Sequence, residues 1–414
     1  MRSVSNPSWP LAIWASSSAR PAASIVCPLQ ASTESIVLYT CSPQCTDPSH
    51  HHGGAKRART AALSLPRAAT STRPARGSRP PVVDVHCHYL NPAVAAAASD
   101  LDVGQHDPSV IYANALTRET NVAQMKERAP KLTGIDQRLD DMERMGIDIQ
   151  AISPAPFQYF YFAPPERGAA LARQVNEGIA ALVAQTPERF VGIGSVPLQN
   201  AELAVQELDH AVGRLGLRGV EINTNVNGLN LTDPRLGLEP FFARADALGA
   251  VIFLHPVGFS EGARLTDHYF NNVIGNPLDT TVAVSHLIFD GVVARYPNIK
   301  FIAAHGGGYV GHYWARMDHA WRARADCRTV IDQLPSSYLK TFYVDTMVFD
   351  PQMLRHLVDL FGAERVLLGT DYPYDMGEDR PRELIAAVQG LTADEVAQIE
   401  GLNAVKLLHI TPAP

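Results

Sequence analysis

The sequence predicts an α/β fold, a distorted (β/α)8 TIM-type barrel over residues 81–414 with insertions after strands 1 and 5. Short apolar segments rich in β-branched residues alternate with segments that carry helix signals. The apolar segments are nearly continuous, as in Val-Ile-Phe-Leu at 251–254, which is typical of parallel strands covered on both faces. Eight such strands that alternate with helices indicate a closed barrel. The predicted strands are 82–88, 149–154, 190–198, 219–224, 250–256, 299–305, 341–346 and 366–370.

The segments between the strands begin with residues that favour helix starts. Asn200 precedes an apolar stripe that begins at Leu203. Asp350 and Pro351 form an N-cap followed by proline at the first helical position. Residues 392–395, Thr-Ala-Asp-Glu, form a capping box. These signals place helices between consecutive strands, where a barrel requires them.

The spacing between strand starts predicts where extra structure lies. The two longest spacings follow strand 1, with 67 residues, and strand 5, with 49 residues. In a barrel of this type, the loops that follow the strands lie at the catalytic face. We therefore predict that 101–135 covers the substrate and that 258–277, which is rich in Gly, Asn, Tyr and Phe, is a second lid.

Residues 1–80 differ in composition from the rest of the chain. They are rich in Ser, Ala, Pro and Arg and show no sustained hydrophobic periodicity, which predicts a disordered or non-native N-terminal extension. An organellar transit peptide and a start codon assigned too far upstream are the alternatives. We interpret the histidine run at 50–52 as a solvated tract rather than a metal site.

The composition argues against several classes of protein. The net charge is −7, and nine of the 35 basic but only two of the 42 acidic residues lie within 1–79, so the remainder carries −14. Such an acidic body argues against a nucleic-acid substrate. No apolar run reaches the roughly 18 residues of a membrane span, and we expect no membrane partner. The five cysteines fit no disulfide framework, which indicates a reducing compartment and a cytoplasmic protein.

The first strand ends in two histidines. Alternation along 82–88 sends His86 and His88 to the same side, with Cys87 pointing away. Two imidazoles that converge at a strand end form half of a metal site. The alternative is a pair of ordinary polar residues at the end of a strand.

Three later strands also end in residues that bind metals or transfer protons. His255 lies at the end of strand 5, His305 ends strand 6 and Asp371 follows strand 8. Any one of them could be structural, but four strand ends of one barrel that carry such residues indicate a common site. Imidazole and carboxylate ligands together suit a borderline divalent ion such as Zn²⁺. Three histidines and one aspartate with an open position would make a catalytic centre, and a further histidine beside the ion would be a general acid or base.

The motifs around these residues resemble the amidohydrolase superfamily, specifically its aminocarboxymuconate-semialdehyde decarboxylase branch. The resemblance extends over nearly all of 82–410. The matching segments are D-V-H-C-H (84–88), R-F-V-G-I-G-S-V-P-L-Q (189–199), L-H-P (254–256), A-H-G-G-G (304–308), A-R-M-D-H (315–319), G-T-D-Y-P (369–373) and G-L-N-A (401–404).

The resemblance implies a role for each matching residue. One divalent metal ion, preferably Zn²⁺ with Mn²⁺ as the alternative, would be bound by His86, His88, His255 and Asp371. His305 would act as the catalytic acid/base, and Asp371 would share in moving the proton.

The resemblance also implies how a substrate carboxylate is held. Arg316 matches an arginine that, in this family, reaches the active site of a neighbouring subunit, so we predict a homodimer; the alternative is an arginine on a helix surface. The second substrate-binding arginine of the family falls near Lys126, with Arg128 close by, and neither matches it cleanly. The aromatic segment 155–162 would either stack on a flat conjugated acid or pack locally.

Together these observations predict a metal-dependent, non-oxidative decarboxylase of a small planar unsaturated or aromatic carboxylic acid. The alternative is a metal-dependent hydrolase of a lactone, an amide or a C–C bond, or a hydratase of an unsaturated diacid. A barrel that only binds a ligand is disfavoured, because none of the five predicted site residues is missing.

Overall fold

Buried β-branched and aromatic residues form the strands in the computed structural model, which describes residues 79–411. The predicted extension and its histidine run therefore lie outside the described residues, apart from positions 79 and 80. All eight predicted strands are present, together with a short hairpin. The strands are β1 (Val83–Tyr89), β2 (Ile149–Pro154), β3 (Phe190–Gly192), β4 (Gly219–Ile222), β5 (Asn225–Val226), β6 (Leu229–Asn230), β7 (Val251–Leu254), β8 (Lys300–Ala303), β9 (Tyr343–Asp345) and β10 (Val366–Leu367).

The eight long-range strands close into the predicted barrel. Parallel pairing gives two sheets, β1-β2-β3 and β10-β9-β8-β7-β4. The sheets join at both edges through parallel bridges, Cys87 with Tyr372 and Gly194 with Val220. Backbone hydrogen bonds continue both seams, as from Val85 N to the Leu368 carbonyl at 2.9 Å. The barrel prediction is therefore confirmed, with β1 beside β10 and β3 beside β4.

Apart from differences of one to three residues at other strand ends, two details of the strands differ from the prediction. The strand predicted at 190–198 leaves the regular ladder after Gly192, because beyond it only the single bridge of Gly194 continues the pairing. The hairpin β5–β6 was not predicted. It turns at Asn227 and Gly228, whose φ angles of 51° and 81° are both positive. Asn-Gly is the preferred pair for such a turn, so the signal was present in the sequence.

Helices surround the barrel and start at the predicted caps. Asn200 accepts a hydrogen bond from Leu203 N, Asp350 caps the helix that follows it, and Thr392 and Glu395 form the capping box. None of the helices among residues 79–411 is both long and apolar enough to cross a membrane. The helices are α1 (Pro92–Ala97), α2 (Pro108–Ile111), α3 (Ala115–Thr133), α4 (Asp136–Met145), α5 (Pro165–Gln185), α6 (Ala201–Leu208), α7 (Glu239–Leu248), α8 (Phe270–Val273), α9 (Gly275–Phe289), α10 (Val292–Arg295), α11 (Ala304–Gly307), α12 (Val310–Ala323), α13 (Pro335–Leu339), α14 (Pro351–Phe361), α15 (Pro381–Ala386), α16 (Ala393–Ala397) and α17 (Asn403–Leu407).

Apolar side chains at alternate strand positions fill the inside of the barrel below the strand ends. Val251 and Phe253 on β7 belong to a buried cluster that also contains Leu407 and Leu408 from the C-terminal segment. His255 follows two residues after Phe253 and continues the same alternation. The C-terminal segment therefore packs against the apolar layers, and the polar layer lies at the C-terminal ends of the strands.

The two predicted insertions contact each other. Asn271 donates from its side-chain amide to the Pro108 carbonyl at 2.7 Å, and Asn114 N donates to the Thr266 carbonyl at 3.1 Å. The first insertion also reaches the aromatic segment after β2, where His106 stacks on Phe162 with ring centroids 4.2 Å apart. Both insertions contribute to the walls of one cavity, described below.

Candidate metal centre and active site

Four buried side chains from three parts of the barrel meet at the strand ends. His86 and His88 come from β1, His255 directly follows β7, and Asp371 lies beyond β10. One ligand atom from each residue can be chosen so that all four atoms lie within 4.8 Å of one another. These are the four residues predicted as metal ligands.

The polar atoms of this group fit a bound cation. The Nε2 atoms of His86 and His88, both ring nitrogens of His255 and the Oδ1 atom of Asp371 are buried and have no hydrogen-bond partner within the described part of the chain. Asp371 Oδ1 lies 3.4 Å from His86 Nε2 and 3.3 Å from His88 Nε2. Unsatisfied buried polar atoms are costly, and one divalent ion among them would satisfy all four residues.

The backbone of β1 sends both histidines to the same side, as predicted from alternation. The pairing of β1 with β2 shifts register between Asp84 and Cys87, a β-bulge that contains His86, and the rings of His86 and His88 lie on the same side. Their ring centroids lie 5.1 Å apart. Asp371 has a positive φ of 53° and donates from its backbone N to the His86 carbonyl at 2.7 Å. The closing seam of the barrel therefore sets the distance between these residues.

Each β1 histidine has a partner on the ring nitrogen that faces away from the centre. His88 Nδ1 lies 3.0 Å from the Pro154 carbonyl, which can only accept, so Nδ1 carries the proton. His86 Nδ1 lies 2.7 Å from the Asp345 carboxylate in a fully buried pair. Such partners fix the tautomer and leave Nε2 free to bind a metal. Asp345 was not identified from the sequence, although Tyr-Val-Asp at 343–345 ends a strand in the same manner as the predicted site residues.

Burial sets the protonation of the central residues. Burial, supported by the neighbouring histidines, lowers the pKa of His255 well below its usual value, which favours the neutral ring that binds metals. Burial alone would raise the pKa of Asp371, but its electrostatic interactions with the surrounding rings of His86 and His305 outweigh burial and hold this pKa well below its ordinary range. The centre therefore combines an ionised carboxylate with a neutral imidazole.

Two further buried carboxyl groups support the strand ends. Asp84 accepts hydrogen bonds from Thr370 N and Oγ1 and from Gln150 Nε2, and burial raises its pKa to about 6. Glu221, at the end of β4, accepts a hydrogen bond of 2.5 Å from the Tyr159 hydroxyl, and burial raises the pKa of this carboxyl group. Asp84 thus joins β1 to the segment that carries Asp371.

His305 lies beside the four-residue group rather than within it. Its Nε2 atom lies 3.8 Å from Asp371 Oδ2, and its ring centroid lies 5.2 Å from that of His86. Its side chain is 16% exposed, whereas those of His86 and His88 are fully buried. A histidine in this position can exchange protons with a bound molecule while it remains in contact with the centre.

The three basic residues that were considered for substrate binding differ in their exposure. Arg316 lies on an exposed part of α12, and Lys126 is exposed on α3. Arg128 is half-buried, and its Nη1 atom is buried without a hydrogen-bond partner among the described residues. Arg128 also lines a cavity of about 280 Å³ together with Tyr374. Of Lys126 and Arg128, the two residues near the predicted position, Arg128 is therefore better placed to donate a hydrogen bond to a bound molecule.

A larger cavity of about 480 Å³ lies between the first insertion and the loops after β2, β4 and β7. The aromatic segment provides much of its wall. Tyr159, Phe160 and Tyr161 are each at most 5% exposed and belong to the main core, so this part of the segment packs locally. Phe157 is half-buried and lines the cavity. Tyr159 connects the cavity to the centre, because its hydroxyl lies 3.4 Å from the His255 carbonyl.

Comparisons with known proteins identify relatives of the whole barrel. A family model described as amidohydrolase matches residues 83–410. A 2-amino-3-carboxymuconate-6-semialdehyde decarboxylase of Dictyostelium discoideum is 37% identical over 278 residues, which are 67% of this chain and 77% of that protein.

Solved structures show the same fold. The 5-carboxyvanillate decarboxylase LigW from Sphingomonas paucimobilis has a TM-score of 0.70 at 24% identity, covering 80% of this chain and 99% of that one. A dihydroxybenzoic acid decarboxylase from Polaromonas sp. JS666, solved with bound manganese and the inhibitor 2-nitroresorcinol, has a TM-score of 0.68 at 23% identity, covering 80% and 97%.

Proposed function

The chain belongs to the amidohydrolase family, in the branch that contains 2-amino-3-carboxymuconate-6-semialdehyde decarboxylase, and from this membership we propose a metal-dependent, non-oxidative decarboxylase of a small planar aromatic or unsaturated carboxylic acid. One observation carries the proposal. The buried group of His86, His88, His255 and Asp371, with His305 beside it, lies in a chain 37% identical to a named decarboxylase.

The four-residue group would hold one divalent ion. When bound, the ion supplies positive charge that polarises a substrate oxygen and draws electrons from the carbon that loses CO₂. Three imidazoles and one carboxylate suit Zn²⁺, which we prefer, and Mn²⁺ is the alternative because a structural relative was solved with manganese.

His305 and Asp371 would handle the proton. In decarboxylation the bond between the carboxylate and the adjacent carbon breaks, CO₂ leaves, and the electron pair remains on that carbon, which must then take up a proton. The His305 ring is partly exposed, so it can donate this proton and recover one from solvent. The low pKa of Asp371 keeps its carboxylate charged, and this charge stabilises the imidazolium that donates.

Arg128, which lines the smaller cavity, and Phe157, which lines the larger one, would hold the substrate body. The Nη1 atom of Arg128, which is buried without a hydrogen-bond partner among residues 79–411, offers a charge-assisted hydrogen bond to a carboxylate that does not react. Phe157 offers an aromatic surface for a planar substrate within the cavity. Both features support an aromatic or conjugated diacid, or an aromatic acid with a second polar substituent.

Arg316 would act from a second copy of the chain. It lies on an exposed part of α12, three residues after Tyr313, whose side chain is 60% exposed. Because this part of α12 is exposed among the described residues, the side chain of Arg316 can reach across a two-fold interface. We therefore retain the prediction of a homodimer in which Arg316 pairs with a substrate carboxylate in the partner's site.

Mixing two inactive variants tests this arrangement. His305→Ala and Arg316→Ala proteins, co-refolded in equal amounts, are expected to regain about one quarter of the wild-type activity, since half of the dimers then hold one intact site. Arg128→Met is the matched control: if Arg128 acts within its own subunit, mixing it with His305→Ala restores nothing. If the Arg316→Ala mixture gains no activity although native mass spectrometry shows mixed dimers, Arg316 does not act across subunits.

CO₂ release tests the proposed function itself. Purified protein of known metal content is incubated with hydroxylated benzoic acids and unsaturated diacids, and headspace CO₂ is measured. We expect release that stops when the metal is removed by a chelator and returns with Zn²⁺ or Mn²⁺. The chelator-treated sample of the same preparation is the control. Hydrolysis of lactones or hydration of diacids by a fully metallated protein that releases no CO₂ would contradict the proposal.

A further inference from the structure

We propose that Asp345 is a positioning residue that fixes two parts of the site at once, the ring of the metal ligand His86 and the backbone turn that presents His305. Asp345 ends β9 and is fully buried. No residue of the four-ligand group occupies this strand, so Asp345 has a role separate from direct metal binding.

Both oxygens of the carboxylate are fully used. Oδ2 accepts hydrogen bonds from His86 Nδ1 at 2.7 Å and from His305 N at 3.0 Å. Oδ1 accepts from Gly306 N at 2.8 Å and from Met347 N at 3.1 Å. One side chain therefore connects the end of β1, the turn after β8 and the end of its own strand.

The contact with His86 determines which ring nitrogen is available. A carboxylate at Nδ1 requires the proton to be on Nδ1, so the lone pair is on Nε2, which faces the ligand group. Hydrogen bonds of this kind also raise the basicity of the ligating nitrogen. Asp345 therefore prepares His86 for metal binding.

The contact with the turn stabilises an unusual backbone. His305 has a φ of 57°, and Gly306, Gly307 and Gly308 continue at 62°, 78° and 65°. A left-handed conformation is unfavourable for a residue with a side chain. Consecutive N–H groups in such a segment converge into a concave site for an anion. The Asp345 carboxylate occupies this site through the His305 and Gly306 N–H groups.

Close packing prevents the backbone turn at 305–308 from moving toward its neighbours. A side chain at Gly306 would place its Cβ 2.5 Å from Val348 Cγ1, and one at Gly308 would place it 2.2 Å from the Pro277 carbonyl. Close packing on both sides therefore holds the turn against its neighbours, and Asp345 provides its hydrogen-bond acceptors. The position of the His305 ring follows from this turn.

Asparagine at position 345 would keep the shape of the aspartate side chain but remove its charge and one of its two acceptor oxygens. If its amide nitrogen faces His86, it meets two donors, His86 Nδ1–H and His305 N–H. If the nitrogen faces the other way, it meets the Gly306 and Met347 N–H groups instead. With its nitrogen toward Gly306 and Met347, the asparagine side chain still accepts from His86 and His305 through its oxygen, so the role toward His86 would survive in that orientation. Asp345→Ala removes all four acceptor contacts and therefore tests both roles.

The test measures the two roles separately. For Asp345→Ala we expect Zn²⁺ and Mn²⁺ affinity, measured by equilibrium dialysis, to fall about 10–100-fold. At saturating metal we expect kcat to remain at least ~10-fold below wild type, because the His305 turn is displaced. Asp318→Ala is the matched control: Asp318 is also buried and accepts from Ser336 N and Oγ, but it contacts neither His86 nor His305, so metal affinity is expected to stay at the wild-type value.

Two results would overturn the proposal. Metal affinity for Asp345→Ala within about threefold of wild type would remove the role toward His86. Full kcat at saturating metal would remove the role toward His305. If the variant does not fold, ¹⁵N-histidine NMR of the metal-free wild-type protein decides: we expect a deshielded Nδ1 proton that disappears in His86→Gln, and absence of this proton from the wild type would refute the contact.

The turnover measurement rests on the proposed decarboxylation, whereas the metal affinity and the NMR signal do not. A wild-type protein that binds metal through this arrangement but releases no CO₂ would therefore count against the function and leave the positioning role intact.

Discussion

Replacing His305 with alanine is expected to lower kcat for CO₂ release by about 10²–10⁴-fold while the metal remains bound. The reason is the position of the ring. His305 Nε2 lies 3.8 Å from Asp371 Oδ2, beside the group whose unpaired atoms face one another, so removing the ring removes a proton donor without removing a ligand. The measurement is headspace CO₂ at saturating substrate, with metal content determined on the same sample.

A second histidine variant serves as the control. His286 lies on α9 with its side chain 40% exposed and paired with Asp290, and His286→Ala is expected to retain wild-type turnover. If His305→Ala loses its metal together with its activity, His305 is a fifth ligand rather than the acid/base. If it retains both metal and turnover, the proton comes from another group.

Replacing Asp371 with alanine is expected to abolish metal binding at micromolar concentrations, a loss of affinity of more than ~100-fold, and CO₂ release with it. Asp371 is the one carboxylate in the ligand group, and its Oδ1 lies within 3.4 Å of Nε2 of both β1 histidines. Removing a direct ligand should cost more than the 10–100-fold typical of an outer hydrogen-bond partner. Equilibrium dialysis with Zn²⁺ and Mn²⁺ measures the affinity, and activity is followed with increasing metal.

Asp394, exposed at the start of α16, provides the control, since Asp394→Ala removes a carboxylate far from the ligand group in sequence and without a role in the capping box. Normal metal occupancy in Asp371→Ala would show that Asp371 is not a ligand. Full occupancy with lost turnover would assign Asp371 to proton transfer alone.

The strands and the candidate ligands were accessible from the sequence because both depend on local patterns. Apolar runs define the strands, and parallel strands in a barrel bring their C-terminal ends to the same face, so His86, His255 and Asp371 could be placed together without knowledge of the loops. The resemblance to known motifs added the identity of the family, which the match over 83–410 confirms.

The remaining features depend on contacts between distant segments. The role of Asp345 depends on a hydrogen bond to a residue 259 positions earlier in the chain. The choice between Lys126 and Arg128 depends on which side of α3 faces the barrel, and a helix with few buried residues gives no clear phase in the sequence. The role of Arg316 depends on a second chain and stays a prediction.

The seam that closes the barrel also determines when the site can form. His86 and His88 belong to the first strand, whereas Asp371 follows the last, and the two segments are joined by hydrogen bonds between their backbones. During synthesis, a ribosome exposes the two histidines hundreds of residues before the carboxylate. The nascent chain therefore presents incomplete sets of the proposed ligands for most of its translation, and the complete proposed site requires the final strand to dock beside the first. Metal loading thus belongs to the finished polypeptide, and an ion that binds the complete site also holds the two ends of the barrel together.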